Sequence, residues 1–219
     1  EPVDHPVLPA LADIVERHAI PHQYLFDVLD GIATDLEPVS FETFEELSRY
    51  CYHVAGAVGL CCIHIWGFRE PAAIERAIDC GLAFQLTNIL RDLGEDAGMG
   101  RVYLPREDLR RFGYSVEELS AGVRNGPFLQ LMEFQVSRAE ALYQRAGELY
   151  SLLEPPGQPI LASMLQIYGG LLASIRERKF DVFSRRVSLP RWKKLWIAFG
   201  SLARHRWPGR TLLNPPRDW

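Results

Sequence analysis

The longest apolar run in this chain falls well short of the roughly 20 positions that a bilayer-spanning helix needs. That run, residues 54–66, is interrupted by His64 and reads as a buried helix. The N-terminus is acidic and has no apolar core segment, so no signal peptide is visible. Cysteine is scarce. Cys51, Cys61, Cys62 and Cys80 form no CxxC pair, and no histidine pair stands at zinc-finger spacing. The four read as small buried hydrophobes in a reducing compartment. Strand-like alternation, internal repeats and linkers rich in Gly, Ser or Pro are all missing. So are a nucleic-acid motif and a nucleotide-binding fingerprint. At 47% hydrophobic and 24% charged residues, disorder, a collagen-like repeat and a disulfide miniprotein are excluded.

What is present is one domain's worth of chain, 219 residues, beginning at Glu1 rather than Met. That start implies processing or a piece of something longer. The net charge of −4 is unevenly spread. Residues 1–178 hold 14 basic and 26 acidic residues, whereas residues 179–219 hold ten basic and two acidic ones. A basic tail on an acidic body points to an anionic partner for the tail.

Apolar residues recur at helical spacing throughout. Leu8, Leu11, Ile14 and Val15 mark a first short helix, and Pro21 opens a second. Thr43, with Glu46 three residues on, caps a third helix expected over residues 44–66 and ended by Gly67. Further helices are expected over 71–97, 104–111, 115–121, 127–153, 160–183 and 191–203. Pro208, Gly209, Pro215 and Pro216 close the chain as a frayed end. The expectation is a single compact all-α domain over residues 1–219, with 187–219 as a basic amphipathic tail.

The informative segment is residues 85–96. Gln85, Asn88, Asp92 and Asp96 fall on one helix face as a polar stripe about three turns long. Two carboxylates at i,i+4 repel, so something cationic should offset them. Mg²⁺ suits them, because it takes oxygen ligands and is held by one or two carboxylates plus substrate phosphates. Arg101, Tyr103 and Arg106 follow a glycine-containing turn, and arginine donors there would suit an anionic phosphate.

Residues 83–97, AFQLTNILRDLGEDA, followed by GRVYLP at 100–105, resemble the second aspartate-rich motif of the squalene/phytoene synthase family. YCYHVAGAVG at residues 50–59 resembles that family's tyrosine signature. The likeness runs from about Phe41 to Arg186. It implies an all-α isoprenoid-synthase helical bundle and the Mg²⁺-dependent head-to-head joining of two prenyl diphosphates, with Mn²⁺ as a substitute metal. By the resemblance, Asp92 and Asp96 would hold the metal, and Gln85 and Asn88 would line the same site. Arg101 and Tyr103 would contact diphosphate or guard the reacting centre, Tyr52 would sit beside the carbocation, and Tyr168 and Arg185 would lie near the diphosphates. A phytoene-type product from C20 substrate is the leading expectation. The alternatives are C15 substrate with presqualene diphosphate or squalene as product, NADPH being needed only for squalene, and a non-catalytic assembly-factor-like relative.

One departure stands out. The family's first aspartate-rich motif has no match here, and the helices that carry it are expected to be missing. Asp27, Asp30 and Asp35 read as helix-end and surface acids. The small residues Ala55, Gly56, Ala57 and Gly59 would leave space for an isoprenoid chain or for a close helix neighbour. In the tail, Trp192, Leu195, Trp196, Phe199 and Leu202 alternate with Arg191, Lys193, Lys194, Arg204 and Arg206, the pattern of a membrane-surface helix. The expected setting is cytoplasmic, peripheral on a membrane, with no nucleic-acid partner.

Overall fold

The structure, a computed structural model, describes residues 5–36 and 39–206. Helices α1 (Leu8–Arg17) and α2 (His22–Thr34) lead to α3 (Phe44–Cys51), a π-helical turn (Tyr52–Gly56) and α4 (Ala57–Trp66). Helix α5 (Ala72–Gly98) is the longest. It is followed by the short α6 (Arg106–Phe112) and α7 (Val116–Ser120), then α8 (Gly126–Gly147), α9 (Leu149–Leu152), α10 (Gln158–Glu177) and α11 (Arg191–Arg206). Among the described residues β pairing is limited to two isolated bridges, Ser40 with Val102 and Phe68 with Leu153.

Helix α5 is the spine, and α3, the π turn, α4, α7, α8, α9 and α10 all pack on it. Its apolar residues surround it, which is the pattern of a core helix. Leu86, Ile89, Leu90 and Leu93 join one cluster with α3 and α8, and Ala73, Ala77, Cys80 and Phe84 join a second with α4, α9 and α10. Cys51 and Cys80 are buried; Cys61 and Cys62 are half-buried, and all four are free thiols.

Three expected helices differ in detail. The helix expected over residues 44–66 contains the π turn. Here α5 crosses so closely that a Cβ on Gly81 would lie 2.6 Å from the Cα of Gly56. A Cβ on Gly59 would stand 3.3 Å from the carbonyl oxygen of Ala77. Gly56 and Gly59 therefore serve a close helix neighbour. The helix expected over 127–153 pauses after Gly147, a poor helix former. The one expected to reach residue 183 stops at Glu177, where Lys179 and Phe180 adopt left-handed backbone (φ 52° and 61°). The amide of Phe180 donates to the carbonyl of Ile175 at 2.9 Å, closing a Schellman-type end. The capping of α3 also differs: Thr43 accepts from the Glu46 amide, but the Glu46 carboxylate reaches the amide of Glu42. The frayed end lies outside the described residues, as do the side chains of Leu202, Arg204 and Arg206.

Candidate active site

The polar stripe forms as expected along the C-terminal half of α5, because residues three and four apart share a helix face. Its side chains are half-buried. The Asn88 amide donates to Gln85 Oε1 at 3.4 Å, while Asn88 Oδ1 is buried and accepts from no group. A buried acceptor left in that state is costly unless a ligand completes it.

Asp92 and Asp96 have opposite surroundings. Asp92 is clasped by two guanidinium groups. Arg91, next to it in the chain, donates from Nε at 2.9 Å and from Nη2 to the other oxygen. Arg186 donates from Nε at 2.8 Å and from Nη2 at 3.1 Å. Burial pushes the Asp92 carboxyl up, but the hydrogen bonds from these two arginines outweigh it and hold it below the ordinary carboxylate range. Asp96 gains less. Burial, and then the charge of Asp92, push it up to about 6, with Arg101 opposing in part. The Arg101 amide is fixed by donating to the Asp96 carbonyl at 2.9 Å.

Arg186 is delivered by the segment after α10. The missing side chain of Gly94 makes room for it: a Cβ there would lie 2.9 Å from the Phe183 ring and 3.2 Å from the Val182 carbonyl oxygen. Arg185, the expected ligand, is exposed, and its carbonyl oxygen accepts from Arg178 at 3.2 Å. The neighbouring residue is thus the one that meets the stripe.

Beside Asp96 stands a wall of three rings, Phe41, Tyr50 and Tyr103. The Tyr50 and Tyr103 centroids are 5.5 Å apart, and those of Phe41 and Tyr50 5.3 Å. The bridge between Ser40 and Val102 brings the loop that carries Arg101 and Tyr103 to the start of α3. Both phenols donate to one oxygen of Asp35, Tyr50 at 2.9 Å and Tyr103 at 3.4 Å. Burial raises both tyrosines above their ordinary range; Tyr103 and Asp35 add to it at Tyr50, whereas at Tyr103 the Tyr50 hydroxyl opposes it and the Asp35 and Asp96 charges add to it. Asp35 is therefore an anchor for two phenols and not a surface acid.

Tyr52 lies elsewhere. Its hydroxyl donates to Asp27 Oδ2 at 2.6 Å, and Gln23 donates to the other oxygen at 2.8 Å. Asp27 is only 7% exposed, which also corrects its reading as a surface acid; Asp30 is exposed as expected. Tyr168 stacks on Phe84 with centroids 4.4 Å apart and packs in the same cluster as Tyr52. The structure thus gathers Gln85, Asn88, Asp92, Asp96, Arg101 and Tyr103 at one end. It adds Arg91, Arg186, Asp35 and Tyr50, and sets Tyr52 and Tyr168 in the second core cluster.

Among the described residues no group of three or more His, Cys, Asp or Glu side chains is placed to hold a metal by itself. Two carboxylates one turn apart, one of them pushed up by the other, together with an orphaned amide oxygen, fit a divalent cation that shares its coordination with a phosphate ligand. A hollow of about 660 Å³ at the turn between α1 and α2, lined by Ala12, Val15, Ile20 and Pro21, contains none of these residues.

Fold and site together define an all-α protein with a carboxylate–amide face ringed by arginines. The profile of the squalene/phytoene synthase family matches residues 1–193, and the chain belongs to that family. It is 38% identical over 207 residues to a phytoene synthase of Arthrospira platensis, covering 87% of this chain and 67% of that protein. It is 37% identical over 199 residues to a 15-cis-phytoene synthase of Synechococcus elongatus, covering 85% and 64%. Among solved structures, a dehydrosqualene synthase in complex with ligand superposes with a TM-score of 0.83 at 32% identity, over 93% of this chain and 72% of that one. The chain thus spans about two thirds of the length of these curated relatives.

Proposed function

We propose that the protein containing this chain is a phytoene synthase-like prenyltransferase that joins two C20 prenyl diphosphates head to head. The observation that carries this reading is the stripe Gln85–Asn88–Asp92–Asp96 with Arg91, Arg101 and Arg186 around it; curated phytoene synthases 35–39% identical to this chain support it. Magnesium bound through Asp92 and Asp96 supplies Lewis-acid neutralisation of a departing diphosphate. The arginines donate to its oxygens as its charge grows, an interaction stronger in the transition state than before it. The C–O bond of the first substrate breaks toward this face. The double bond of the second substrate attacks the allylic cation, and proton loss closes a cyclopropyl diphosphate. A second ionisation, rearrangement and proton loss give the C40 hydrocarbon. The electron-rich faces of Phe41, Tyr50 and Tyr103 suit a neighbouring cation, and Asp35 holds both phenols in place.

The runner-up is the C15 reaction, favoured by the structural likeness to a dehydrosqualene synthase. Incubating the full-length protein with C20 or C15 diphosphate, with and without NADPH, and separating the products decides between them. A C40 product without NADPH supports the reading. Binding of magnesium and diphosphate with no product from either substrate would revive the non-catalytic alternative, against which the intact stripe argues. Full activity of both Asp92→Ala and Asp96→Ala would sink the site assignment. The same reading puts the protein in the cytoplasm, peripherally on a membrane where its apolar substrate and product partition.

A further inference from the structure

Helix α11 presents to solvent the face that an amphipathic helix ordinarily buries. It lies along α10 and packs through Ser201, which is 3% exposed, with Ile197, Ala198 and Gly200 half-buried beside it. Trp192, Leu195, Trp196 and Phe199 point away, at 64, 71, 68 and 66% exposed. At about 100° per residue these four fall within an arc of roughly 100°. The Trp196 and Phe199 rings meet edge to face, 6.4 Å between centroids. Arg191 and Lys193, both exposed, flank the arc on either side, with exposed Lys194 further round. No acidic residue occurs in α11. The family match ends at residue 193, so this helix lies almost wholly outside it.

Single exposed apolar side chains need no explanation, but a contiguous aromatic face edged by cations does. A second copy presenting the same face would bring Arg191 and Lys193 against their own kind. An anionic lipid surface meets both properties at once. Tryptophan and phenylalanine settle at the boundary between headgroups and acyl chains, while lysine and arginine stems reach back to phosphate. We infer that α11 is a membrane-surface helix: it seats Trp192, Leu195, Trp196 and Phe199 in the interface of an anionic bilayer, with Arg191 and Lys193 on the lipid phosphates. This deepens the peripheral placement proposed above and is independent of the chemistry at Asp92. It also sets the bilayer against the helix that packs on α10, the element carrying Tyr168.

The test uses the full chain, no substrate, and vesicles of phosphatidylcholine alone or with about 30% phosphatidylglycerol, the anionic lipid that recruits basic segments. Binding is read by co-sedimentation and by the blue shift of tryptophan emission. The wild type is expected to bind the anionic vesicles at least about tenfold more tightly than the neutral ones, an advantage that fades as salt rises. The W192S/W196S/F199S variant should lose binding to both by about tenfold or more, and R191E/K193E should lose the preference for anionic lipid. All these side chains are exposed, so an unchanged thermal melt excludes misfolding as the cause. Failure of the wild type to bind either vesicle overturns the inference, as does undiminished binding by the aromatic variant. An oligomer that the aromatic variant splits, seen by light scattering without vesicle binding, also overturns it by giving the face to a second copy. None of these outcomes bears on product formation, so the synthase reading stands or falls separately.

Discussion

Arg186 clasps Asp92 with both nitrogens of its fork, 2.8 and 3.1 Å, across a separation of 94 positions in the chain. Such bidentate geometry matches carboxylate and diphosphate oxygens alike. On the function proposed above, the Asp92 clasp would keep a guanidinium ready for diphosphate beside the face that would hold the metal. Arg186→Gln is expected to weaken magnesium-dependent binding of inorganic pyrophosphate by about tenfold, the loss of one charged hydrogen-bonding partner. Arg185→Gln should stay within about twofold, since it is Arg186 and not Arg185 whose guanidinium meets Asp92. Calorimetric titration of the two variants compares them directly; equal losses would refute the distinction.

Asp96 carries a pH signature. Its folded-state carboxyl is pushed up to about 6 by burial and by Asp92. A carboxyl raised in this way holds its proton in the fold where the unfolded chain has released it. Its contribution to stability is therefore complete below about pH 4, the unfolded value, and is lost as pH rises through about 6. Asp96→Asn cannot ionise. With magnesium chelated, it should melt roughly 2–4 °C above the wild type at pH 7, and the gap should close toward pH 4. Turnover should be lost in the same variant. A melting difference that does not change with pH would contradict this account.

The stripe on α5 was legible in the sequence because period and chemistry coincide there: four polar groups at helical spacing in a helix whose middle, residues 80–90, is otherwise almost wholly apolar. Helix positions were legible from Pro, Gly and capping residues, as at Pro21, Thr43 and Gly67. What was not legible is what distant segments bring together. Asp27 and Asp35 look like ordinary helix acids until Tyr52 and Tyr50 fold onto them. Arg185 and Arg186 are indistinguishable as a pair, and only the Phe183–Gly94 contact selects which one reaches Asp92. Tyr50 and Tyr52 stand two apart in one signature, and the π turn that separates their surroundings has no local signal except Gly56.

That separation predicts different consequences for the two tyrosines. Tyr50→Phe removes a donor from the Asp35 anchor beside Asp96 and Arg101, and should lower turnover about tenfold or more with little change in fold. Tyr52→Phe leaves Asp27, 7% exposed, with one donor fewer. It should destabilise the protein by about 1–3 kcal/mol, the penalty for an unmet buried polar group, while sparing turnover at temperatures where the chain stays folded. Denaturant unfolding and steady-state rates on the same preparations separate the effects. Tyr52→Phe losing activity at unchanged stability would move the reacting centre to the second cluster.

The two glycines Gly81 and Gly98 sit in the same helix, and only one of them is needed. A Cβ on Gly81 would meet backbone atoms of Gly56 at 2.6 Å and of Ala55 at 2.8 Å, and backbone cannot rotate aside as a side chain can. Gly81→Ala must therefore push α5 off the π turn. It should destabilise by about 3 kcal/mol, the upper end for overpacking, and shift Asn88 and Asp92, about two to three turns further along, relative to Tyr50. Gly98 has nothing within 4 Å of the same position. Gly98→Ala should be neutral or stabilising by up to about 1 kcal/mol, because alanine narrows the unfolded ensemble and favours helix. Urea unfolding of both variants at matched slope measures the difference. If Gly81→Ala cost no more than Gly98→Ala, the close crossing would not be what sets the distance between the aromatic wall and the carboxylate stripe.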